Sequence, residues 1–175
     1  MQVGVAVVYA SSVTIQQRRC AMRTVQELRA WFSYNPETGE LRQLGRLAGY
    51  VMRTGYRLLS VKKQRIYAHR LIWCLMTGDW PEREIDHING CKSDNRWCNL
   101  RLATRQENAR NQSVRTTSKS GYKGVSFHTR VGRWRAVIET DLGHRHLGYF
   151  DTKEQASCMY QQAATTYFGQ FARPV

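Results

Sequence analysis

Acidic residues are scarce in this sequence. Asp and Glu together number 13, against 27 Lys and Arg, and the net charge is +14. This excess predicts a polyanionic partner, either a nucleic acid or an anionic membrane surface. A membrane-surface protein of this kind carries a basic amphipathic helix, and no such helix stands out in the sequence. Nucleic acid is therefore the expected partner.

Long apolar runs and paired cysteines are also missing. No run approaches the roughly 20 apolar residues that span a bilayer, so we expect no membrane segment. The cysteines are odd in number and include no CxxC pair, which indicates a reduced, cytoplasmic protein and argues against zinc at Cys91 and Cys98. The five are Cys20, Cys74, Cys91, Cys98 and Cys158.

Residues 1–23 differ in character from the rest. The segment Val3 to Tyr9 is apolar, but it is short for a signal peptide and no basic residue precedes it. Thr24 and Glu27 then form a capping-box pattern, which predicts the start of a helix. We interpret residues 1–23 as a disordered or accessory leader, with Met22 as an alternative natural start.

A hairpin is predicted near the middle of the chain. Glu84–His87 has the pattern of a short strand, Asn89-Gly90 that of a turn, and Asn99–Leu102 that of a returning strand. Strict alternation along a strand puts Asp86 and His87 on opposite faces. Both can therefore act on one phosphate only if the strand ends or twists between them.

A helix is predicted to follow this hairpin. Thr104 and Glu107 form another capping box, so the helix should begin at Arg105 and place Asn108 in its first turn. A ββα hairpin of this kind can bring the end of its first strand against the start of its helix. Asp86 and Asn108 are therefore expected to lie near each other.

These residues predict phosphodiester hydrolysis with one metal ion. The carboxylate of Asp86 and the amide oxygen of Asn108 are hard ligands that suit Mg²⁺ or Mn²⁺, and they leave positions open for water and a phosphate. His87, with an ordinary pKa of about 6.5, is largely neutral near pH 7 and can accept a proton from an attacking water. Each residue taken singly is also common at solvated strand ends and turns, so the prediction depends on the combination.

The same stretch resembles the HNH endonucleases, in the homing-type branch of phages and mobile introns. The resemblance covers roughly residues 24–112 and is carried by His69-Arg70-Leu71, Asp86-His87-Ile88-Asn89-Gly90, Asp94-Asn95-Arg96, Asn99-Leu100-Arg101 and Asn108. It implies that Asp86 and Asn108 are the metal ligands and that His87 is the general base. It also implies that Asn99 hydrogen-bonds across the loop and holds the hairpin in shape, and that cleavage leaves 3′-hydroxyl and 5′-phosphate ends.

A one-sided charge run precedes the hairpin. Between Arg42 and Arg70 there are eight basic residues and no acidic one. Such a run beside a metal-phosphate site predicts a track for the DNA backbone. The expected contacts are Arg53, Arg57, Lys62, Lys63 and Arg65.

A second unit is predicted after a polar linker at residues 113–119. Alternating apolar and polar residues from Val125 to Phe150 predict three antiparallel strands with one apolar and one polar face, and Asp151-Thr152 predicts the start of a covering helix. The polar face is expected to lie in the major groove of DNA. The strongest candidate contacts are Arg133 and Arg135, with Lys123, Ser126, Arg130, His144 and His146 around them.

This unit resembles the DNA-binding domain of plant ethylene-response transcription factors. The resemblance covers roughly residues 120–172 and is carried by Ser120-Gly121-Tyr122-Lys123-Gly124-Val125, Arg133-Trp134-Arg135-Ala136, His146-Leu147-Gly148-Tyr149-Phe150-Asp151-Thr152 and Tyr167-Phe168-Gly169. It implies a three-stranded sheet with one helix. Ser126, His128 and His146 stand where the plant domains carry Arg or Trp, so the plant target sequence does not transfer.

The expected fold class is α+β. A ββα-metal nuclease domain is predicted at residues 24–112, and a three-stranded antiparallel sheet with one packed helix at 120–175. We expect a double-stranded DNA endonuclease, encoded by a phage or mobile element, that acts as a monomer or weak dimer and needs no protein partner. Two alternatives are a non-catalytic DNA-binding regulator and an RNA-directed protein, although the narrow major groove of RNA disfavours a reading sheet.

Overall fold

The computed structural model describes residues 24–114 and 117–173, so the predicted leader lies outside the described residues. The helices are α1 (Val25–Trp31), α2 (Ala68–Thr77), α3 (Arg105–Asn111) and α4 (Lys153–Phe168). The strands are β1 (Phe32–Tyr34), β2 (Leu41–Gln43), β3 (Arg46–Leu47), β4 (Tyr50–Val51), β5 (Arg57–Val61), β6 (Gln64–Tyr67), β7 (Glu84–His87), β8 (Leu100–Ala103), β9 (Val125–His128), β10 (Arg133–Thr140) and β11 (Gly143–Phe150). Short 3₁₀ turns cover Trp97–Asn99 and Gly169–Phe171. None of the helices in these ranges is long and apolar enough to cross a membrane.

The strands before the hairpin form two small antiparallel sheets, in the orders β1-β2-β3 and β4-β5-β6. Among the described residues, no strand pairing joins these two sheets. The chain changes direction at Gly49, which has a φ of 70° and lies so close to the carbonyl of Leu58 that a side chain would collide with it. This glycine therefore separates the two sheets.

Helix α2 provides the core on which the hairpin lies. Its apolar residues Leu71, Ile72 and Leu75 are all buried. They belong to one core cluster with Ile85 of β7 and Leu100 of β8. The hairpin is therefore attached to a packed core rather than to a surface loop.

Two paired strands and a short helix make up the hairpin region, and the predicted ββα-metal arrangement stays a prediction. Strands β7 and β8 pair antiparallel, with Asp86 opposite Arg101. The return strand begins at Leu100, one residue later than expected, because Asn99 ends the preceding 3₁₀ turn. The Thr104 capping box starts α3 as predicted.

The C-terminal unit has the expected sheet, in the order β11-β10-β9, with α4 packed on it. Ala136 and Ile138 of β10 are fully buried, and Ala156, Tyr160 and Ala164 form the buried stripe of α4. Met159 on the same helix is 37% exposed. Because the buried stripe takes every fourth residue of α4, Met159 lies beside this stripe and not within it.

The two units touch along α3 and the hairpin. Ala103 of β8 is in one core cluster with Ile138, Tyr160, Phe168 and Phe171 of the C-terminal unit. The Arg110 guanidinium lies over the Phe168 ring and pairs with the exposed carboxylate of Asp141. The predicted boundaries at residues 112 and 120 stay predictions, but the structure shows apolar contact between the parts that they separate.

Candidate active site

A cavity of about 420 Å³ lies where β7 meets α3. Asp86, His87 and Asn108 all line it, so three of the four predicted catalytic residues share one cavity. Strand β7 ends at His87, and the Gly90 amide donates to the His87 carbonyl in a turn. The strand therefore stops at the place where both Asp86 and His87 reach the same space, as the chemistry requires.

The Asp86 carboxylate is buried and heavily bonded. Asp86 is 4% exposed. Its Oδ2 accepts hydrogen bonds from Arg101 Nε at 2.8 Å and from Arg101 Nη2 at 2.6 Å. The Asn111 amide donates to both carboxylate oxygens at 3.0 Å. A buried carboxylate is costly unless it is paired and hydrogen-bonded, and Arg101 and Asn111 meet that requirement.

Asn111 is a site residue that the sequence reasoning missed. It is 4% exposed, and its amide nitrogen also lies 2.8 Å from the His87 carbonyl and 3.3 Å from the Ile88 carbonyl. One side chain thus holds the end of β7 and orients the Asp86 carboxylate. The sequence did contain one indication of this role. Asn111 follows Asn108 by three residues, a spacing that puts both side chains on the same face of α3.

Asn108 shares the cavity with Asp86 without a hydrogen bond to it. Its Nδ2 donates to Glu84 Oε2 at 2.6 Å. Among the described residues, no hydrogen bond is made to the side-chain oxygen Oδ1 of Asn108. Among the same residues, Asp86 Oδ1 accepts one hydrogen bond, which comes from Asn111. Each of these oxygens therefore keeps at least one lone pair that no described hydrogen bond uses.

The predicted metal site has few protein ligands. In residues 24–114 and 117–173 no group of three or more His, Cys, Asp or Glu could hold a metal ion. The predicted site contains one residue of those types, Asp86, because its second predicted ligand is the amide oxygen of Asn108. The ion and its ligands stay predictions.

The imidazole of His87 is buried and held from one side. It is 3% exposed, and its Nε2 lies 3.2 Å from Asn95 Oδ1. The Asn95 amide nitrogen donates to the Ser93 carbonyl, which assigns the Asn95 oxygen to the histidine. His87 Nε2 is then the donor, and Nδ1 keeps the lone pair that accepts a proton.

Burial keeps His87 neutral. Desolvation lowers the pKa of its imidazole below the ordinary value, and this outweighs the opposing effects of the hydrogen bond to Asn95 and the charge of Asp86. A neutral imidazole is the form that a general base needs. Asn95 was part of the motif in the sequence, but its contact with His87 was not foreseen.

His69 packs edge-on against His87, with ring centroids 5.2 Å apart, and stacks on Tyr67. Its residue is 7% exposed, and its Nδ1 has no hydrogen-bond partner among the described residues. Burial is the main cause that lowers the pKa of His69 to about 3. His69 is thus a neutral ring that supports His87 from behind.

Asn99 lies in the loop rather than at the cavity. Its Oδ1 accepts from the Asn89 amide at 2.9 Å, and its Nδ2 donates to the Asp94 carbonyl at 2.7 Å. These bonds connect the two sides of the hairpin loop. Any further role of Asn99 in catalysis stays a prediction.

The predicted backbone track is exposed at four of its five positions, Arg53, Lys62, Lys63 and Arg65. Lys62 and Lys63 form the tip of the β5–β6 turn, where both have positive φ. Arg57 is half-buried, and its Nη1 donates to the carbonyls of Ala48 at 3.2 Å and Gly49 at 3.3 Å. Arg57 therefore stabilises the break between the two small sheets.

The polar face of the C-terminal sheet gathers several of the predicted contacts. The register puts Arg135 between Ser126 on β9 and Tyr149 on β11, while the His146 ring lies 4.6 Å from the Tyr149 ring. Arg133 pairs with Asp151 at 3.2 Å on the exposed surface. Arg130 is exposed in the turn between β9 and β10.

Two predicted DNA contacts lie away from this group. The Lys123 ammonium donates to the carbonyls of Ala109, Arg110 and Gln112 at the end of α3, and burial lowers its pKa. His144 lines a cavity beside α3. Lys123 thus caps a helix C-terminus, a favourable position for a cation.

Comparison with known proteins concerns the segment that contains this cavity. Residues 66–110 match the family described as HNH endonuclease. This part of the chain is similar to the HNH endonucleases. The matched range includes Asp86, His87, Asn99 and Asn108, whose catalytic roles stay predictions.

Two viral proteins are similar over most of this chain. An uncharacterized HNH endonuclease of Acanthamoeba polyphaga mimivirus is 32% identical over 127 residues, which span 71% of this chain and 65% of that protein. The chain thus spans just under two thirds of this relative. Protein 3.8 of Escherichia phage T7 is 29% identical over 70% of this chain and 98% of its own length.

A solved structure of the HNH homing endonuclease I-HmuI, described for DNA binding and cleavage, also shows some likeness. The TM-score is 0.43 at 17% identity, over 77% of this chain and 79% of that one. An ethylene-responsive transcription factor of Arabidopsis thaliana is 40% identical over 52 residues, which cover 29% of this chain and 12% of that protein. The plant resemblance is thus partial.

Asn111 and Asn108 should differ in what they contribute. Replacing Asn111 by Ala removes the buried amide that holds Asp86 and the end of β7, and should lower the free energy of unfolding by about 2–3 kcal/mol. Asn108→Ala removes one exposed hydrogen bond and should cost less than about 1 kcal/mol. Urea unfolding of both variants and wild type measures this. Equal losses would contradict the structural role of Asn111.

Protonation of His69 should make the protein labile in acid. Because its folded pKa of about 3 lies below the ordinary 6.5, the unfolded state binds more protons between these values. The contribution of His69 to the free energy of unfolding is therefore fully present above pH 6.5. As the pH falls towards 3, protonation of His69 in the unfolded state lowers the free energy of unfolding by about 1.4 kcal/mol per pH unit. Urea unfolding at several pH values measures how steeply the free energy of unfolding depends on pH. In His69→Phe this dependence should be weaker than in wild type by about that amount.

The exposed His144→Phe variant, measured in parallel, controls for the exchange of an imidazole for a phenyl ring. A His69→Phe variant with the wild-type slope would show that His69 is not the buried neutral group described above.

Proposed function

We propose that this protein is a metal-dependent HNH endonuclease of the homing type that hydrolyses a phosphodiester bond in double-stranded DNA. The observation that carries the proposal is the cavity where Asp86, His87 and Asn108 meet. A buried neutral imidazole beside a carboxylate suits base-assisted hydrolysis of a phosphate ester. The match of residues 66–110 to the HNH endonuclease family supports it.

Asp86 and Asn108 would hold one Mg²⁺ or Mn²⁺ ion. Their free oxygen lone pairs are hard donors, and a site with so few protein ligands leaves coordination positions for water and a DNA phosphate. Bound there, the ion would supply positive charge beside the phosphate and the departing 3′ oxygen.

The residues of the chain handle the proton. His87 Nδ1 accepts it from the attacking water, while Asn95 holds the opposite ring nitrogen. Lys92 lines the same cavity and lies over the Tyr56 ring, with its ammonium 4.9 Å from the ring centroid. Lys92 thus places a cation near the expected phosphate.

The exposed cations deliver the DNA. Arg53, Lys62, Lys63 and Arg65 attract the backbone, and the polar face around Arg133 and Arg135 lies in the major groove. The relatives encoded by a giant virus and a phage support a protein that acts inside a host cell, on viral or host DNA.

Replacing His87 by Ala should abolish cleavage and leave DNA binding almost intact. The imidazole is buried and neutral, so it makes no phosphate contact, whereas loss of a general base costs about 100-fold or more in rate. The measurement is relaxation of supercoiled plasmid with Mg²⁺, Mn²⁺ or EDTA, beside DNA affinity from fluorescence anisotropy.

The double variant Arg133→Ala/Arg135→Ala is the matched control. It should bind DNA more weakly and with a shallower salt dependence, yet cleave at saturating protein. A His87→Ala protein that cuts at the wild-type rate would remove His87 from the mechanism. Tight binding without any metal-dependent cleavage by the wild type would favour the non-catalytic regulator.

A further inference from the structure

Arg173, from the C-terminal unit, lies at the candidate active site. It lines the cavity that contains Asp86 and His87. Its Nη1 donates to the Asn111 carbonyl at 3.2 Å, and its guanidinium lies against Gly90 so closely that a Cβ there would collide with it. Arg173 follows the second sheet in sequence, so two units of the chain build one cavity.

The segment before Arg173 is anchored to the hairpin. Arg101 donates to the Gln170 carbonyl at 2.6 Å, and its guanidinium lies 4.0 Å from the centroid of the Phe171 ring. Phe171 is buried in a core cluster together with Ala103 of β8. The position of Arg173, two residues later, is therefore fixed by contacts with the nuclease hairpin itself.

The charges around the cavity leave Arg173 available to an anion. The Arg101 guanidinium is occupied by Asp86 and Gln170. Arg173 makes no ion pair with a carboxylate among the described residues, and its described hydrogen bond uses one N–H of the five that a guanidinium carries. A guanidinium with free N–H groups matches the oxygens of a phosphate in a bidentate geometry.

We infer that Arg173 is a catalytic residue that binds the scissile phosphate of DNA, so that the C-terminal unit completes the nuclease site. The inference rests on the proposed function. Two of its N–H groups contact non-bridging phosphate oxygens, where negative charge grows as the water attacks. The C-terminal unit therefore does more than hold the DNA, because the cavity lacks this guanidinium without it.

The test is single-turnover cleavage of supercoiled plasmid by the full chain with Mg²⁺ or Mn²⁺. Arg173→Ala should lower the rate by about 100-fold, the usual cost of one donor at a developing anion. Arg173→Lys keeps the charge without the planar fork and should recover only part of the rate. Lys153→Ala removes one positive charge from the start of α4, away from the cavity, and should cleave like wild type.

Two further measurements separate chemistry from folding and from binding. The thermal midpoints of the Arg173 variants should stay close to that of wild type, because Phe171 and Arg101 still anchor the segment. Their affinities for a short duplex in EDTA should change by less than about threefold, since one phosphate contact contributes little to binding.

The outcomes distinguish this inference from the proposed function. Cleavage by wild type but not by His87→Ala, with Arg173→Ala at the wild-type rate, would overturn the role of Arg173 and leave the nuclease standing. A rate that falls only in parallel with stability or affinity would also overturn it. Absence of wild-type cleavage with both metals would overturn both.

Discussion

The buried Asp86 carboxylate is the constraint on which the site depends. At 4% exposure its charge must be compensated within the protein: Arg101 supplies the opposite charge, and Asn111 donates hydrogen bonds from a second direction. Arg101 is its partner in the β7–β8 register, and Asn111 comes from the last position of α3. One charge thus ties two strands and a helix together, and the cavity forms where they meet.

The same arginine extends this network into the C-terminal unit. Arg101 contacts Asp86, the Gln170 carbonyl and the Phe171 ring with one guanidinium. Removing one partner of a buried pair leaves the other charge uncompensated, which is costly. The placement of the C-terminal segment and the shape of the site are therefore coupled through a single side chain.

Local patterns explain what could be predicted from the sequence. Capping boxes at Thr24 and Thr104 set the starts of two helices, and the Asp86-His87 pair with its Gly90 turn marked the hairpin. Each of these features depends on residues a few positions apart.

Distant contacts explain what could not be predicted. Arg101 and Gln170 are 69 residues apart, and Asn111 lies 25 residues after Asp86. No short-range pattern signals that these groups meet. The break at Gly49 and the placement of Lys123 on the end of α3 were missed because they depend on tertiary packing.

The central claim is that Asp86, although fixed by Arg101 and Asn111, keeps an oxygen for a metal ion beside His87. It is tested most directly by NMR of the His87→Ala protein bound to duplex DNA with Mn²⁺, whose paramagnetism broadens nearby amide signals. The account predicts broadening centred on the end of β7 and the first turn of α3, and its loss when Asp86 is also replaced by Asn. Broadening elsewhere, or broadening that survives this replacement, would contradict it.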